Sequence, residues 1–203
     1  MVTTFCIDNT AAATESLGAG VTVEYTDTGS NAIAFTISYP GSAYLAFGPS
    51  PGGMIGSKVV IGTNAAGAQK YSLNSRTTPS PDPTQDFTDA SFTQSNGIST
   101  LSFTAPLTWV EQFATSPGGA VRMAWARGSS SPNNLGYHGS TKGTKVFASF
   151  RSFCSTYQTV CVDQSKSTAY PDCEGTLAAM SAGTSGDTSG DTQACREYHL
   201  GVA

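Results

Sequence analysis

Apolar residues recur at every second position in Val21–Tyr25 and again in Ala32–Ile37, the period of a half-buried β-strand. Ala43–Phe47 and Lys58–Ile61 are short apolar runs bounded by Gly and Pro, the pattern of buried sandwich strands. Asn64-Ala-Ala-Gly67 is a turn leading into Gln69–Leu73, and Pro79-Ser-Pro-Asp-Pro83 is a stiff loop that cannot continue a ladder. Asn-Gly within Gln94-Ser-Asn-Gly97 predicts a hairpin between strands over 86–93 and 98–104. Val121–Ala126 and Lys145–Phe150 supply two more strands. About nine strands at short, regular spacing predict an all-β fold, a two-sheet antiparallel β-sandwich.

The tail reads differently. Residues 173–182 and 192–200 have helical character, with Asp191 or Thr192 as a cap and Gly201 as a stop. Between them lies a small-residue linker, 183–191. We therefore divide the chain into a sandwich over 1–153 and a Cys-rich C-terminal module over 154–203. About 50 residues build little core, so the module is expected to need disulfides. Its end at Ala203, one residue after an apolar position, reads as a truncation.

Composition narrows the function classes. Charged residues are 12% of the chain and the formal net charge is −4, with no run of Lys or Arg. Nucleic acid is thereby disfavoured, because phosphate binding needs clustered positive charge. No apolar stretch approaches the roughly 18 residues that span a bilayer. Met1–Cys6 has neither the basic start nor the apolar run of a signal peptide, so the chain is either intracellular or a mature or recombinant form. Cysteine usage favours the second reading. Cys154, Cys161, Cys173 and Cys195 crowd into the last quarter, with Cys6 alone near the front. No C-x-x-C occurs, so zinc knuckles, thioredoxin-like redox pairs and covalent haem attachment have no support. Spaced cysteines in a weakly charged chain read as structural disulfides of a secreted or cell-surface protein, although 5 is odd and the pairing stays open.

Two side chains carry the candidate chemistry. Met54 lies in Gly52-Gly53-Met54-Ile55-Gly56-Ser57, and His138, one of only 2 histidines, lies in Leu135-Gly136-Tyr137-His138-Gly139. Taken singly, a loop methionine is usually a core filler and a lone histidine a satisfied polar group. Together, a thioether and an imidazole in glycine-flanked loops can form an axial pair for haem iron. Tyr44, Phe47, Trp125 and Tyr137 lie near these loops in sequence and can line an apolar slot, Tyr137 foremost because it adjoins His138. Arg127 and Lys142 can meet carboxylates of such a ligand, although solvated surface charge is the commoner role. The rival ligand, His199, sits on the tail helix beside Cys195 and reads as a surface or packing residue. Asp82, Asp86 and Asp89 cluster in one loop but lack the spacing of a calcium loop. No G-x-S-x-G elbow appears, so a hydrolase has little support.

The run Ala43-Tyr-Leu-Ala-Phe-Gly-Pro-Ser50, then Met54-Ile-Gly-Ser-Lys-Val-Val-Ile-Gly62 and Tyr71-Ser-Leu73, resembles the DOMON family. Met123-Ala-Trp-Ala-Arg-Gly128 and Leu135-Gly-Tyr-His-Gly139 follow in the family's order, so the resemblance covers residues 5–151. It is similar above all to the b-type cytochrome branch, in which a β-sandwich holds one haem b between loops at its edge. The resemblance implies Met54 and His138 as axial ligands of haem b, with Tyr137 and Phe47 beside it. It also implies one-electron transfer rather than enzymatic bond chemistry. The electron source would be a flavin dehydrogenase, ascorbate or a membrane cytochrome, and the acceptor an extracellular copper oxygenase or ferric iron. The same family includes haem-free modules that bind carbohydrate or act in adhesion, and loss of the Met or the His would mark that alternative. Cys195-Arg-Glu-Tyr-His-Leu200 is similar to a small Cys-rich module appended to some secreted proteins.

Overall fold

A computed structural model describes residues 12–28, 31–115, 119–128, 132–133, 135–136, 138–148 and 150. The five cysteines, Tyr137, His199 and the expected C-terminal module lie outside the described residues. In chain order the elements are β1 (Ala13–Gly18), β2 (Val21–Asp27), β3 (Ala32–Tyr39), β4 (Leu45–Pro49), β5 (Lys58–Thr63), β6 (Gly67–Ser72), β7 (Thr88–Ser95), β8 (Ile98–Pro106), one helical turn α1 (Leu107–Val110), β9 (Val121–Arg127) and β10 (Lys142–Phe147). They form two five-stranded sheets, ordered β1-β2-β3-β8-β7 and β10-β9-β4-β5-β6. Among the described residues every strand pairing is antiparallel.

The alternation seen in the sequence builds the core. Val21 and Val23 of β2, Ile33, Phe35 and Ile37 of β3, and Leu101 and Phe103 of β8 point inward from the first sheet. Leu45, Phe47, Val60, Val121 and Met123 meet them from the second. Phe35 lies at the centre, with ring centroids 5.4 Å from Phe47 and 5.3 Å from both Phe103 and Phe150. Aromatic side chains bury large apolar areas each, so this cluster dominates the core.

The structure departs from the sequence pattern at the sheet edges. β1 is a tenth strand that the pattern missed, because only Leu17 of Ala13–Gly18 is fully buried. Its Glu15 carboxylate instead accepts a bond from Lys145 Nζ of β10, at 2.6 Å. β10 runs over Lys142–Phe147, three residues earlier than the apolar run suggested. The run was misleading because Phe147 and Phe150 both enter the core, the first at a strand end and the second beyond a bend.

The two sheets differ on their outer faces. The first presents Thr22, Glu24, Thr36, Ser38, Thr100 and Ser102, all at least partly exposed. The second is apolar on both sides. On its outer face Tyr44, Ala46, Val59, Ile61 and Tyr71 form a second buried cluster, with Leu73, Ala126 and Leu135 packed against it. Among the described residues no layer of helices covers that outer face, and an apolar sheet face of this kind needs something against it.

Candidate functional site

What lies against that outer face is a cavity of about 530 Å³, a size within the range of small-molecule and cofactor sites. Its floor is the sheet itself. Ala46 of β4 pairs directly with Ala126 of β9 on one side and with Ile61 of β5 on the other. Ala124, Val59 and Leu73 extend the same surface. Three alanines at outward positions leave a shallow shelf where larger side chains would fill the space.

The walls are two loops that leave opposite ends of the sheet. β4 is antiparallel to β9, with Leu45 opposite Arg127 and Pro49 opposite Met123. The β4–β5 loop, which carries Met54, therefore departs at the Pro49 end, and the β9–β10 loop, which carries His138, at the Leu45 end. Four steps along β4 separate those ends by about 14 Å. Both loops turn back over the outer face, and Met54 and His138 line the same cavity.

The Met54 loop is rich in glycine yet tightly tied. Gly52 (φ +139°) and Gly56 (φ +88°) occupy backbone regions that other residues rarely enter, which fixes the turn around Met54. Ser50 N–H donates to Arg122 O of β9 at 2.8 Å, and Gly56 N–H donates at 2.7 Å to O of Leu73, the residue after β6, so both ends of the loop are pinned. Ser50 and Ser57, both fully buried, donate their hydroxyls to the Gly53 carbonyl oxygen.

The His138 loop is held by Tyr44, Asn64 and Thr141. Tyr44 Oη donates to Gly136 O at 2.8 Å, and burial pushes its phenol up to about 12. Asn64 N–H donates to Pro132 O at 2.7 Å. Thr141 donates through both its amide and its hydroxyl to His138 O, and the hydroxyl also reaches Arg127 O at 2.9 Å. The His138 ring is half-buried, with Nδ1 3.1 Å from Gly139 O.

Two cations, Arg76 and Lys142, line the cavity, and no carboxylate does so among the described residues. Lys142 Nζ donates to Gly139 O at 2.7 Å, beside His138. Such a site favours a mostly apolar guest with negative charge at its margin.

Of the residues singled out in the sequence, the structure brings Met54, His138 and Lys142 to the cavity; Trp125 borders it, but belongs with its partner Phe47 to the core between the sheets. Tyr44 lies in the apolar cluster below it and braces the His138 loop. Phe47 is not brought there. It is fully buried between the sheets, because alternation along β4 turns Ala46 outward and Phe47 inward. Arg127 also turns away, its guanidinium 4.3 Å from the centre of the Tyr39 ring. Asp82 and Asp86 are taken up by Ser72 and Lys70, and no group of three metal-ligating side chains occurs among the described residues. Sequence reasoning missed Arg76, the alanine shelf and the two serines. The available signal was Ala at outward positions where the first sheet carries Thr and Ser.

The DOMON domain family matches residues 18–128. Among solved structures, the chain is similar to the cytochrome domain of Myriococcum thermophilum cellobiose dehydrogenase, with a TM-score of 0.51 and 12% identity over 70% of this chain and 85% of that one. It is similar also to the cytochrome b domain of pyranose dehydrogenase from Coprinopsis cinerea, with a TM-score of 0.51 and 16% identity over 68% of this chain and 82% of that one. At such identities the likeness is one of fold. No curated protein sequence matches the chain.

Proposed function

The chain belongs to the DOMON domain family, and from its cavity we propose that it is a b-type cytochrome domain working in one-electron transfer outside the cell. One observation carries the reading: a thioether and an imidazole, on loops from opposite ends of one sheet, line the same apolar cavity. The described lining fits haem b. The alanine shelf leaves room for a flat macrocycle, Met54 and His138 are iron-ligating types, and Arg76 and Lys142 are cations suited to its carboxylates. The two similar solved structures are themselves cytochrome domains, which supports the same reading.

Haem b, when bound, supplies the one-electron iron couple. The protein's part is to bind, orient and tune. Met54 offers a neutral, soft sulfur, which would favour ferrous iron and raise the potential. His138 offers the second donor, and its loop is held through Tyr44, Asn64 and Thr141. Val59, Ile61 and Leu135 keep water from the cavity floor, lowering the local dielectric around any charge there. With Met54 and His138 holding it, the haem iron would keep no open site for oxygen chemistry, and the domain would pass electrons without acting as an enzyme itself. Its electron donor would be a dehydrogenase, ascorbate or a membrane cytochrome, and its acceptor an extracellular copper oxygenase or ferric iron. The low charge content and the spaced cysteines support an oxidising compartment. Among the described residues, no helix is long and apolar enough to cross a membrane.

The test is visible absorption of the purified full chain, oxidised and dithionite-reduced, during titration with haemin. A six-coordinate b-type spectrum, lost in Met54→Ala and in His138→Ala, is the expected result. A featureless titration would overturn the proposal and turn attention to carbohydrate binding by a haem-free module.

A further inference from the structure

The segment that carries Met54 has a composition unsuited to holding anything still. Pro51, Gly52, Gly53 and Ile55 are exposed, and three of the six residues from Pro51 to Gly56 are glycine. Glycine-rich chain loses the most entropy on ordering, so such a loop samples many conformations unless specific bonds oppose it. A thioether is a neutral ligand with a single donor atom, and its side chain has three rotatable bonds. Whether it meets a metal depends on how firmly its backbone is held.

The bonds that oppose this freedom converge on one atom. Ser50 Oγ and Ser57 Oγ, 1% and 0% exposed as residues, both donate to Gly53 O, immediately before Met54. Ser50 Oγ also accepts from Gly52 N–H at 3.1 Å, so this hydroxyl is used as donor and acceptor at once. On the other side of Met54, Ser57 N–H donates to Met54 O at 3.1 Å. Ser57 is itself anchored, because its carbonyl accepts from Leu73 N–H at 2.9 Å. The peptide groups before and after Met54 are therefore both fixed, one by two buried hydroxyls and the other by an amide tied to the strand-end residue Leu73.

We propose that Ser50 and Ser57 are positioning residues that hold Met54 in the cavity wall as a ready-made ligand, so that a bound haem meets a fixed sulfur rather than a mobile one. This rests on the reading of Met54 as an iron ligand. Packing alone does not require hydroxyls at these positions: alanine is smaller and apolar, and would fit both. What alanine at both positions cannot do is satisfy Gly53 O, and the loop then exchanges the lost bonds for water by opening, while either replacement alone removes one of the two.

The experiment uses the full chain carrying Ser50→Ala, Ser57→Ala or both, with Ile37→Val as a control that weakens the distant core. In the haem-free protein, amide hydrogen exchange is measured over residues 52–57. Each serine variant is expected to speed exchange there roughly tenfold, the effect of one buried hydrogen bond, while Ile37→Val leaves the local pattern unchanged. In the haem-loaded protein, the serine variants are expected to retain haem through His138. They should lose the sulfur-to-iron charge-transfer band in part and show a lower midpoint potential. Unchanged exchange over 52–57 in the double variant overturns the inference whether or not haem binds. An unchanged charge-transfer band and potential in that variant, with wild-type protein six-coordinate, also overturns it and leaves the cytochrome reading intact. Wild-type protein that takes up no haem overturns the ligand reading itself, a result the exchange data keep separate from the state of the clamp.

Discussion

Replacing Tyr44 by Phe should make the protein less stable at neutral pH and more stable at alkaline pH than the unmodified chain. Tyr44 is 4% exposed, its hydroxyl donates to Gly136 O at 2.8 Å, and burial raises its phenol from 10.0 to about 12. At pH 8 the phenol is neutral in folded and unfolded chains alike, so the variant loses only the hydrogen bond, about 1 kcal/mol. As the pH rises, the unfolded chain gives up its proton near 10 while the folded chain keeps it until near 12. Between these values the unfolded state binds fewer protons, so the stability of the Tyr44 protein falls with rising pH. Two units at about 1.36 kcal/mol each amount to ~2.7 kcal/mol once both states are ionised, and about 1.4 kcal/mol is already lost at pH 11. The phenylalanine variant has no such term, so the two stability curves cross above pH 10. Tyr25 and Tyr71, also raised by burial, are present in both proteins and cancel in the difference. Urea unfolding of the two proteins from pH 8 upward reads the effect directly. A variant that stays less stable at every pH would show that the Tyr44 hydroxyl is not held neutral by burial, and the account of this brace would fail.

Two other substitutions test the floor and the frame of the site. Ala126→Leu sets three extra carbons on the shelf beside Ala46 and should weaken haemin binding at least about tenfold, the lower end of overpacking costs, with urea stability nearly unchanged. Equal binding in a haemin titration would mean that the ligand does not lie on this face. Gly48→Ala should cost at least about 2 kcal/mol in urea unfolding, because its Cβ would run into the Lys58 carbonyl and lie 2.8 Å from Val59 Cα. A mild effect would mean that the β4–β5 ladder yields there more easily than a backbone contact should.

Sequence alone was enough for much of this protein. The period-two alternation of Val21–Tyr25 and Ala32–Ile37, and the Asn-Gly turn at 96–97, are local signals, and they mark strands because side-chain direction alternates whatever the strand later packs on. Met54 and His138 were legible as candidates because a thioether and an imidazole sit in glycine-flanked segments whose order matches a known family, and the structure brings both to one cavity. The weak pattern of β1 and the early start of β10 were not legible, since edge strands expose most of their residues and carry little apolar signal.

Tertiary structure decided which face each alternating set would meet. Period two says that Ala46 and Phe47 point opposite ways, yet it cannot say which of them points at the other sheet. Pairing of β4 with β5 and β9 grouped Phe47 with Val60 and Ala46 with Ile61, and packing of the first group on the other sheet sent Phe47 to the core and Ala46 to the cavity floor. The same pairing set the Met54 and His138 loops at opposite ends of one sheet. Arg76 reaches the cavity from the loop after β6, and Arg127 lies over Tyr39 of β3 in the other sheet. The physical reason is that strand partners are chosen by contacts between residues far apart in the chain, so the residues on any one strand do not carry that information.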